Sequence, residues 1–310
     1  MNHTANATEI LAGLSKRKKK IAPKFLYDKK GSEIFERICK LDEYYPIHSE
    51  IEILEKHSNE IARCMGSNAV LIEPGCGACL KARYLLRAMS SPKAYVAIDI
   101  SENFLKHAAD EVQKEFKQIP VYSAPGDYTR KLTLPKELTL TLEKKVIFFP
   151  GSTIGNMHPA EARKLLKRFG QLVKRGGGVL IGVDLKKETK VLELAYDDPK
   201  GVTAEFNYNL LDRLNREFSA NFERRHFDYK ARYNKVKGRV EMFLESQITQ
   251  KISVCGKPFT LSQNELIHTE DSYKYSLVEF EALAKSAGLA LRKNWTDRRK
   301  FFCIYYLERE

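Results

Sequence analysis

Five short apolar runs, most of them followed by a span of helical periodicity, constrain this chain more than any other feature. They are AVLIEP (69–74), AYVAID (94–99), VYSA (121–124), KVIFFP (145–150) and VLIGVD (179–184). Helical spacing is read over Leu80–Met89, from about Glu102 to Phe116, and from Pro159 to Val173. Runs apolar on both faces, alternating with helices, predict a parallel sheet covered by helices, the doubly wound α/β class. The alternation stops after Asp184. Residues 186–235 are polar and helical in pattern, 239–254 alternate like an exposed strand, and Gly256-Lys257-Pro258 predicts a turn into another. Helical periodicity returns over 276–287, followed by two strands, LALRKNWT and KFFCIYYL. Upstream, Ile34, Phe35, Ile38, Leu41, Ile51, Ile53, Leu54 and Ile61 recur at helical spacing, which predicts short helices broken at Tyr45–Pro46. Residues 1–20 read as a loosely ordered or helical leader. The organisation expected is one α/β domain from 60–185 plus 275–310, and a second lobe from 1–59 plus 186–274.

Composition narrows the function class. No run approaches the roughly 20 apolar residues needed to cross a bilayer. The early positive charges, Lys16 to Lys20, follow the apolar residues rather than precede them, the wrong order for a secretory signal, so a cytoplasmic protein is expected. Six scattered cysteines suit reduced thiols better than a disulfide framework. A formal charge of +13 raises the question of nucleic acid. Lys and Arg interleave with Asp and Glu beyond the leader, and neither zinc-finger spacing nor an RNA-binding aromatic signature accompanies them. Solvated surface charge is therefore the expected explanation, with no nucleic-acid or membrane partner and a monomeric chain.

Between the first strand and its helix lies Glu73-Pro74-Gly75-Cys76-Gly77. Glycines there let backbone approach a ligand closely, and the following helix offers free N–H groups. A dinucleotide loop needs a third glycine; here Gly77 is followed by Ala78, Cys79 and Leu80, so a cofactor without phosphates suits the loop better. Asp99 ends the second strand, where a carboxylate can accept two ribose hydroxyls, and Asp127-Tyr128 follows the third, where an adenine would come. The alternative is a plain tight turn. Cys76 and Cys79 also form a CxxC, but without a second ligand pair or a thioredoxin-like context they read as packing residues, with no metal expected.

Two further stretches are more specific. FLYDKKGSEIFERICKLDEYYPIHSE (25–50) carries YDxxGSxxF and EYYP, and FFPGSTIGNMHP (148–159) carries STIGN after a strand. With AYDDPKGVTAEFNYNLLDRLNRE (195–217), the Met242 strand and His268 to Ser272, the chain resembles the histidine N-alpha-methyltransferase family of ergothioneine biosynthesis over roughly 24–310. The resemblance implies a Rossmann-like class I methyltransferase sheet with a second, substrate-binding lobe. It implies S-adenosylmethionine as methyl donor, held by Gly75, Lys81, Asp99, Asp127, Tyr128 and Gly151. It implies an amino-acid substrate, L-histidine, methylated on its α-amino group to the trimethylated betaine hercynine. Its amino and carboxylate ends would meet Tyr27, Asn156 and Tyr196, with Tyr27 and Asn156 nearest the chemistry. Its imidazole would meet Tyr44, Met242, Glu270 and Ser272. Cys76, Cys79 and Tyr128 depart from the family's usual pattern. Residue by residue, blander readings stay open: Asn156 as cap of the helix that Pro159 opens, Glu270 as a surface carboxylate in a charged loop, Tyr44 as a packing aromatic. At the level of function, the alternatives are an N-methyltransferase for another, tryptophan-like amino acid, a nucleic-acid methyltransferase or binder, and a catalytically idle interaction module.

Overall fold

The computed structural model describes residues 3–139 and 142–309. Packing divides the chain into two compact units, one of residues 1–45 and 187–273, the other of 46–186 and 274–310. The larger unit is built on a seven-stranded sheet. Its strands lie in the order Leu289–Thr296, Phe302–Arg309, Gly178–Asp184, Lys145–Phe149, Val70–Pro74, Ala94–Asp99, Val121–Pro125. The five from Gly178–Asp184 to Val121–Pro125 are parallel, and Phe302–Arg309 enters antiparallel between Gly178–Asp184 and Leu289–Thr296. Val70–Pro74, Lys145–Phe149 and Gly178–Asp184 are buried at every position, as strands covered on both faces must be. Chain order reverses between Val70–Pro74 and Lys145–Phe149, the place where doubly wound sheets open a crevice at their carboxyl ends.

Helix starts in this unit follow local chemistry. Pro159 opens Pro159–Val173 at a position where its missing N–H costs nothing. Ser276 and Glu279 close a capping box on Leu277–Ser286. Tyr45–Pro46 turns out to be a beginning rather than a break: the helix Tyr45–Met65 runs 21 residues from it, because a proline is tolerated in the first turn. Ile53, Leu54, Ile61, Ala62 and Met65 of that helix share one core with sheet residues such as Leu71, Val146 and Ile304. The structural division therefore falls after Tyr45 rather than after residue 59.

In the smaller unit a four-stranded sheet runs Lys19–Lys20, Leu266–Tyr273, Arg239–Ser246, Phe227–Asn234. A separate hairpin pairs Gln250–Val254 with Lys257–Leu261. Helices His3–Leu14, Lys29–Ile38, Thr189–Tyr196 and Val202–Phe218 belong to the same unit. Ile10, Phe25, Leu26, Leu210, Leu211, Leu214 and Leu244 are buried in its core. Two sequence expectations change here. The helical stretch 186–235 ends in a strand, Phe227–Asn234, where Phe227 and Tyr229 are buried. The run 239–254 is two strands in two sheets, and Arg239–Ser246 is interior, buried from Val240 to Leu244. Its charged residues misled because long cationic side chains lie over its aromatic neighbours: Arg232 covers the Phe243 ring at 4.8 Å and Arg239 the Tyr273 ring at 5.2 Å. Among the described residues no helix is long and apolar enough to cross a membrane.

Candidate active site

The residues expected to hold the cofactor all lie in the larger unit, at the carboxyl ends of its parallel strands. Gly75 and Gly77 both take left-handed backbone, φ +71° and +52°. A Cβ on Gly75 would press to 3.2 Å from the Tyr128 ring, while one on Gly77 would meet nothing within 4 Å. The loop is tied to the next strand through the Gly75 and Cys76 N–H groups, which donate to the Ile98 carbonyl at 2.7 and 3.1 Å. Asp99 is held in turn: Gly77 N–H donates to one of its oxygens at 3.2 Å and Ser101 N–H to the other at 3.1 Å. Asp127 accepts from the backbone and hydroxyl of Thr129 at 2.8 and 2.6 Å, and Tyr128 stands edge-on to Phe149 at 5.3 Å. Gly151, φ +78°, follows the Lys145–Phe149 strand, and a Cβ there would come 3.5 Å from Lys81 Nζ. Partly exposed carboxylates at two strand ends, a ring edge and open space over a left-handed glycine suit a nucleoside with hydroxyls to bind and no phosphates to cradle. An Asp99→Asn variant is expected to weaken S-adenosylmethionine binding by about 1–2 kcal/mol, the scale of a hydrogen bond to a charged acceptor. Calorimetry returning native affinity would take Asp99 out of the site.

Two buried groups near this loop escaped the sequence reading. Glu50 is fully buried beside Lys81 and Gly151, and Glu73 is buried against the Tyr95 hydroxyl, which donates to it. Burial drives the Glu73 carboxyl well above the ordinary range. The Cys76 and Cys79 thiols are free and buried in the sheet core, each in contact with the Gly77 carbonyl, as packing residues would be.

Six of the seven residues expected around the substrate lie in the smaller unit: Tyr27, Tyr44, Tyr196, Met242, Glu270 and Ser272. A β-bulge determines which of them share a face. His268 pairs with Phe243, but the next partner of Met242 is Glu270 rather than Thr269. The extra residue, Thr269, donates its hydroxyl to Asn207 Oδ1 at 2.7 Å. Without that insertion Glu270 would oppose Glu241 and Asp271 would oppose Val240; with it, Glu270 and Ser272 stand beside Met242 and Val240, and Asp271 pairs with Glu241. Glu270 is 5% exposed, so it is neither a surface group nor in a loop. Ser272 Oγ and the Tyr196 hydroxyl are 2.9 Å apart.

Aromatic contacts complete the cluster. Tyr44 meets Tyr196 edge-on at 5.8 Å, and Phe35 bridges Tyr44 and Tyr27 at 6.2 and 5.7 Å. The Tyr44 phenol is pushed well above its usual range by burial, with Tyr196, Cys39, Tyr27 and Glu270 adding in the same direction. Tyr229, not anticipated, donates to the Tyr196 carbonyl at 2.7 Å and belongs to the same cluster. Its signal was the burial alternation of a stretch read as helix. Part of the YDxxGSxxF motif is scaffold: Asp28 caps Lys29–Ile38 by accepting from Gly31 N–H at 2.7 Å, and a Cβ on Gly31 would collide with the Leu26 carbonyl. Burial raises the Asp28 carboxyl, but its bonds from Gly31, Asn209 and Arg216 outweigh that and leave it below the usual range.

Asn156 belongs to the larger unit, where it ends the short turn Thr153–Asn156. It is not the cap of the following helix. His158 is, its Nδ1 accepting from Ala160 N–H at 3.3 Å.

Comparison with known proteins places the chain in a family. The chain is 35% identical to a histidine N-alpha-methyltransferase of Mycobacterium tuberculosis (strain CDC 1551 / Oshkosh), a match covering 95% of this chain and 92% of that protein. It is 33% identical to ergothioneine biosynthesis protein 1 of Neurospora crassa, over 87% of this chain and 31% of that longer protein. In solved structures, a S-adenosylmethionine-dependent methyltransferase from Clostridium acetobutylicum ATCC 824 shares the fold, with a TM-score of 0.51 at 12% identity over 90% of this chain and 98% of that one. Residues 6–309 match the family described as histidine-specific, S-adenosylmethionine-dependent methyltransferases, and this chain is a member of that family.

Proposed function

We propose that this protein methylates the α-amino nitrogen of L-histidine with S-adenosylmethionine as donor, continuing to the trimethylated betaine hercynine. The observation that carries the reading is the buried polar group set beside Met242: Glu270, 5% exposed, with Ser272 and Tyr196 hydroxyls 2.9 Å apart. An imidazole offers two ring nitrogens to a carboxylate and hydroxyls, whereas an indole offers one and an aliphatic side chain none, so histidine gains hydrogen bonds that the others cannot make. The reading places the enzyme in the cytoplasm, acting on a free amino acid without a metal.

The donor supplies an electrophilic methyl group on a sulfonium, and the protein's part is positioning and exclusion of water. Gly75, Lys81, Asp99, Asp127, Tyr128 and Gly151 hold it in this reading. Tyr27, Asn156 and Tyr196 orient the amino and carboxylate ends of histidine. The nitrogen must be neutral to attack, so a proton leaves before each transfer, and Tyr27 orients the amine or relays that proton. Each transfer forms one N–C bond as one S–C bond breaks, and positive charge grows on nitrogen, where tyrosine ring faces stabilise it. Tyr44, Met242, Glu270 and Ser272 read the imidazole.

Incubation with S-adenosylmethionine and each of the twenty amino acids, followed by mass spectrometry, tests the proposal. Trimethylated histidine as the main product is expected; preference for an indole amino acid, or no methylated product, would refute it. Tyr27→Phe and Asn156→Ala are expected to lower kcat/KM for histidine by about 1–2 kcal/mol, roughly 5- to 30-fold, while cofactor affinity stays within about twofold. If cofactor binding collapses in parallel, those residues serve the cofactor or the fold instead.

A further inference from the structure

We propose that Glu50 is a positioning residue for methyl-donor binding, holding the Lys81 ammonium and the Gly151 amide in fixed relation. The inference rests on the reading of Lys81 and Gly151 as donor ligands. Glu50 lies in the second turn of Tyr45–Met65 and is 0% exposed. Its Oε2 accepts from Lys81 Nζ at 2.5 Å, and both oxygens accept from Gly151 N–H, at 3.0 and 2.9 Å. The strand Gly178–Asp184 makes room for it at Gly182, where a Cβ would overlap Glu50 Oε1.

Burying a carboxylate costs several kcal/mol, and a well-packed apolar residue of similar volume would serve stability as well or better. A charge kept in such a place calls for a task that an apolar residue cannot perform. Fixing the Gly151 amide needs only a neutral acceptor; fixing an ammonium needs the anion. Lys81 follows the glycine loop after Val70–Pro74, and Gly151 follows Lys145–Phe149, so Glu50 joins the loops of two neighbouring parallel strands where chain order reverses. The Gly151 loop needs such a pin, since Gly151 and Ser152 are consecutive left-handed residues at φ +78° and +53°. An ammonium has three donors. Glu50 engages one and leaves the partly exposed Lys81 (18%) with donors for the carboxylate of S-adenosylmethionine, the one anionic group on that molecule.

The test is a double-variant cycle on the full chain with Glu50→Gln and Lys81→Met, titrating S-adenosylmethionine by calorimetry and measuring both KM values. Glu50→Gln keeps an acceptor for Gly151 but releases the lysine. Each single variant is expected to weaken donor binding about 10- to 50-fold, and the double variant by no more than about twofold beyond the weaker single, since both break one unit. KM for histidine should stay near native in all three variants, and the melting temperature near native in Glu50→Gln, where the ammonium left behind is partly exposed; a purely structural role would produce neither. Native donor affinity in Glu50→Gln alongside a weakened Lys81→Met overturns the role of Glu50 while leaving Lys81 as a ligand. Losses that multiply in the double variant also overturn it. Native affinity in Lys81→Met removes the lysine from the cofactor reading and this proposal with it, as does a Glu50→Gln chain that fails to fold while Lys81→Met binds normally.

Discussion

Replacing Lys274 by methionine is expected to lower the unfolding free energy by about 3–5 kcal/mol, the cost of removing one member of a buried ion pair. Lys274 Nζ and Asp184 Oδ2 are 2.5 Å apart, and both side chains are 0% exposed. The pair joins parts of the chain far apart in sequence: Asp184 ends a central strand, its N–H donates to Ser152 Oγ at 2.9 Å, and its carbonyl accepts from Tyr275 N–H at 3.1 Å. Methionine keeps nearly the length of the lysine stem, so packing is largely conserved and the lost ion pair at the buried carboxylate dominates the effect. Urea denaturation measures it, and Lys274→Met with Asp184→Leu should recover most of the loss, because removing both charges also removes their desolvation. An unchanged midpoint in the single variant, or a double variant no better than the single, would show that the pair does not hold this end of the sheet.

Glu270→Ala is expected to reduce kcat/KM for histidine by about 2–4 kcal/mol, roughly 30- to 700-fold, since in the proposed reading it truncates one side of a buried charge-assisted contact to a ring N–H. S-adenosylmethionine affinity should be untouched, because every residue assigned to the donor lies in the other unit. In the proposed reading the contact is to the imidazole, so the loss should fall on histidine far more than on amino acids lacking a second ring nitrogen. Adding Met242→Val frees further space beside position 270, as Met242 is the cross-strand partner of Glu270. The double variant should then gain relative activity on bulkier aromatic amino acids. Native kcat/KM on histidine, or an equal loss on every amino acid tried, would make Glu270 a structural carboxylate and withdraw the substrate assignment.

Much of the larger unit was legible in order along the chain. The strands at 70–74, 94–99 and 145–149 are short apolar runs with no polar face to misread, and Pro159 and Ser276 mark helix starts by local chemistry alone. The places of Gly75, Asp99 and Asp127 were legible for the same reason: they follow or end strands, and strand ends can be counted from sequence. Phe227–Asn234 was not, because its polar positions fit a helix as well as a strand until a partner strand exists.

The amino-acid sequence by itself determined the doubly wound class and the glycine loop, both written in local spacing, and two specific motifs carried the resemblance to the family. Tertiary structure alone decided which side chains meet. Glu50 reads as one more charge on a helix until Gly182, from a strand far along the chain, clears a space for its carboxylate. Glu270 and Ser272 reach the buried face only because Thr269 inserts one extra residue against Met242, and that residue is held by Asn207 from a distant helix. A bulge is a relation between two strands, and the side-chain period of one strand carries no record of it.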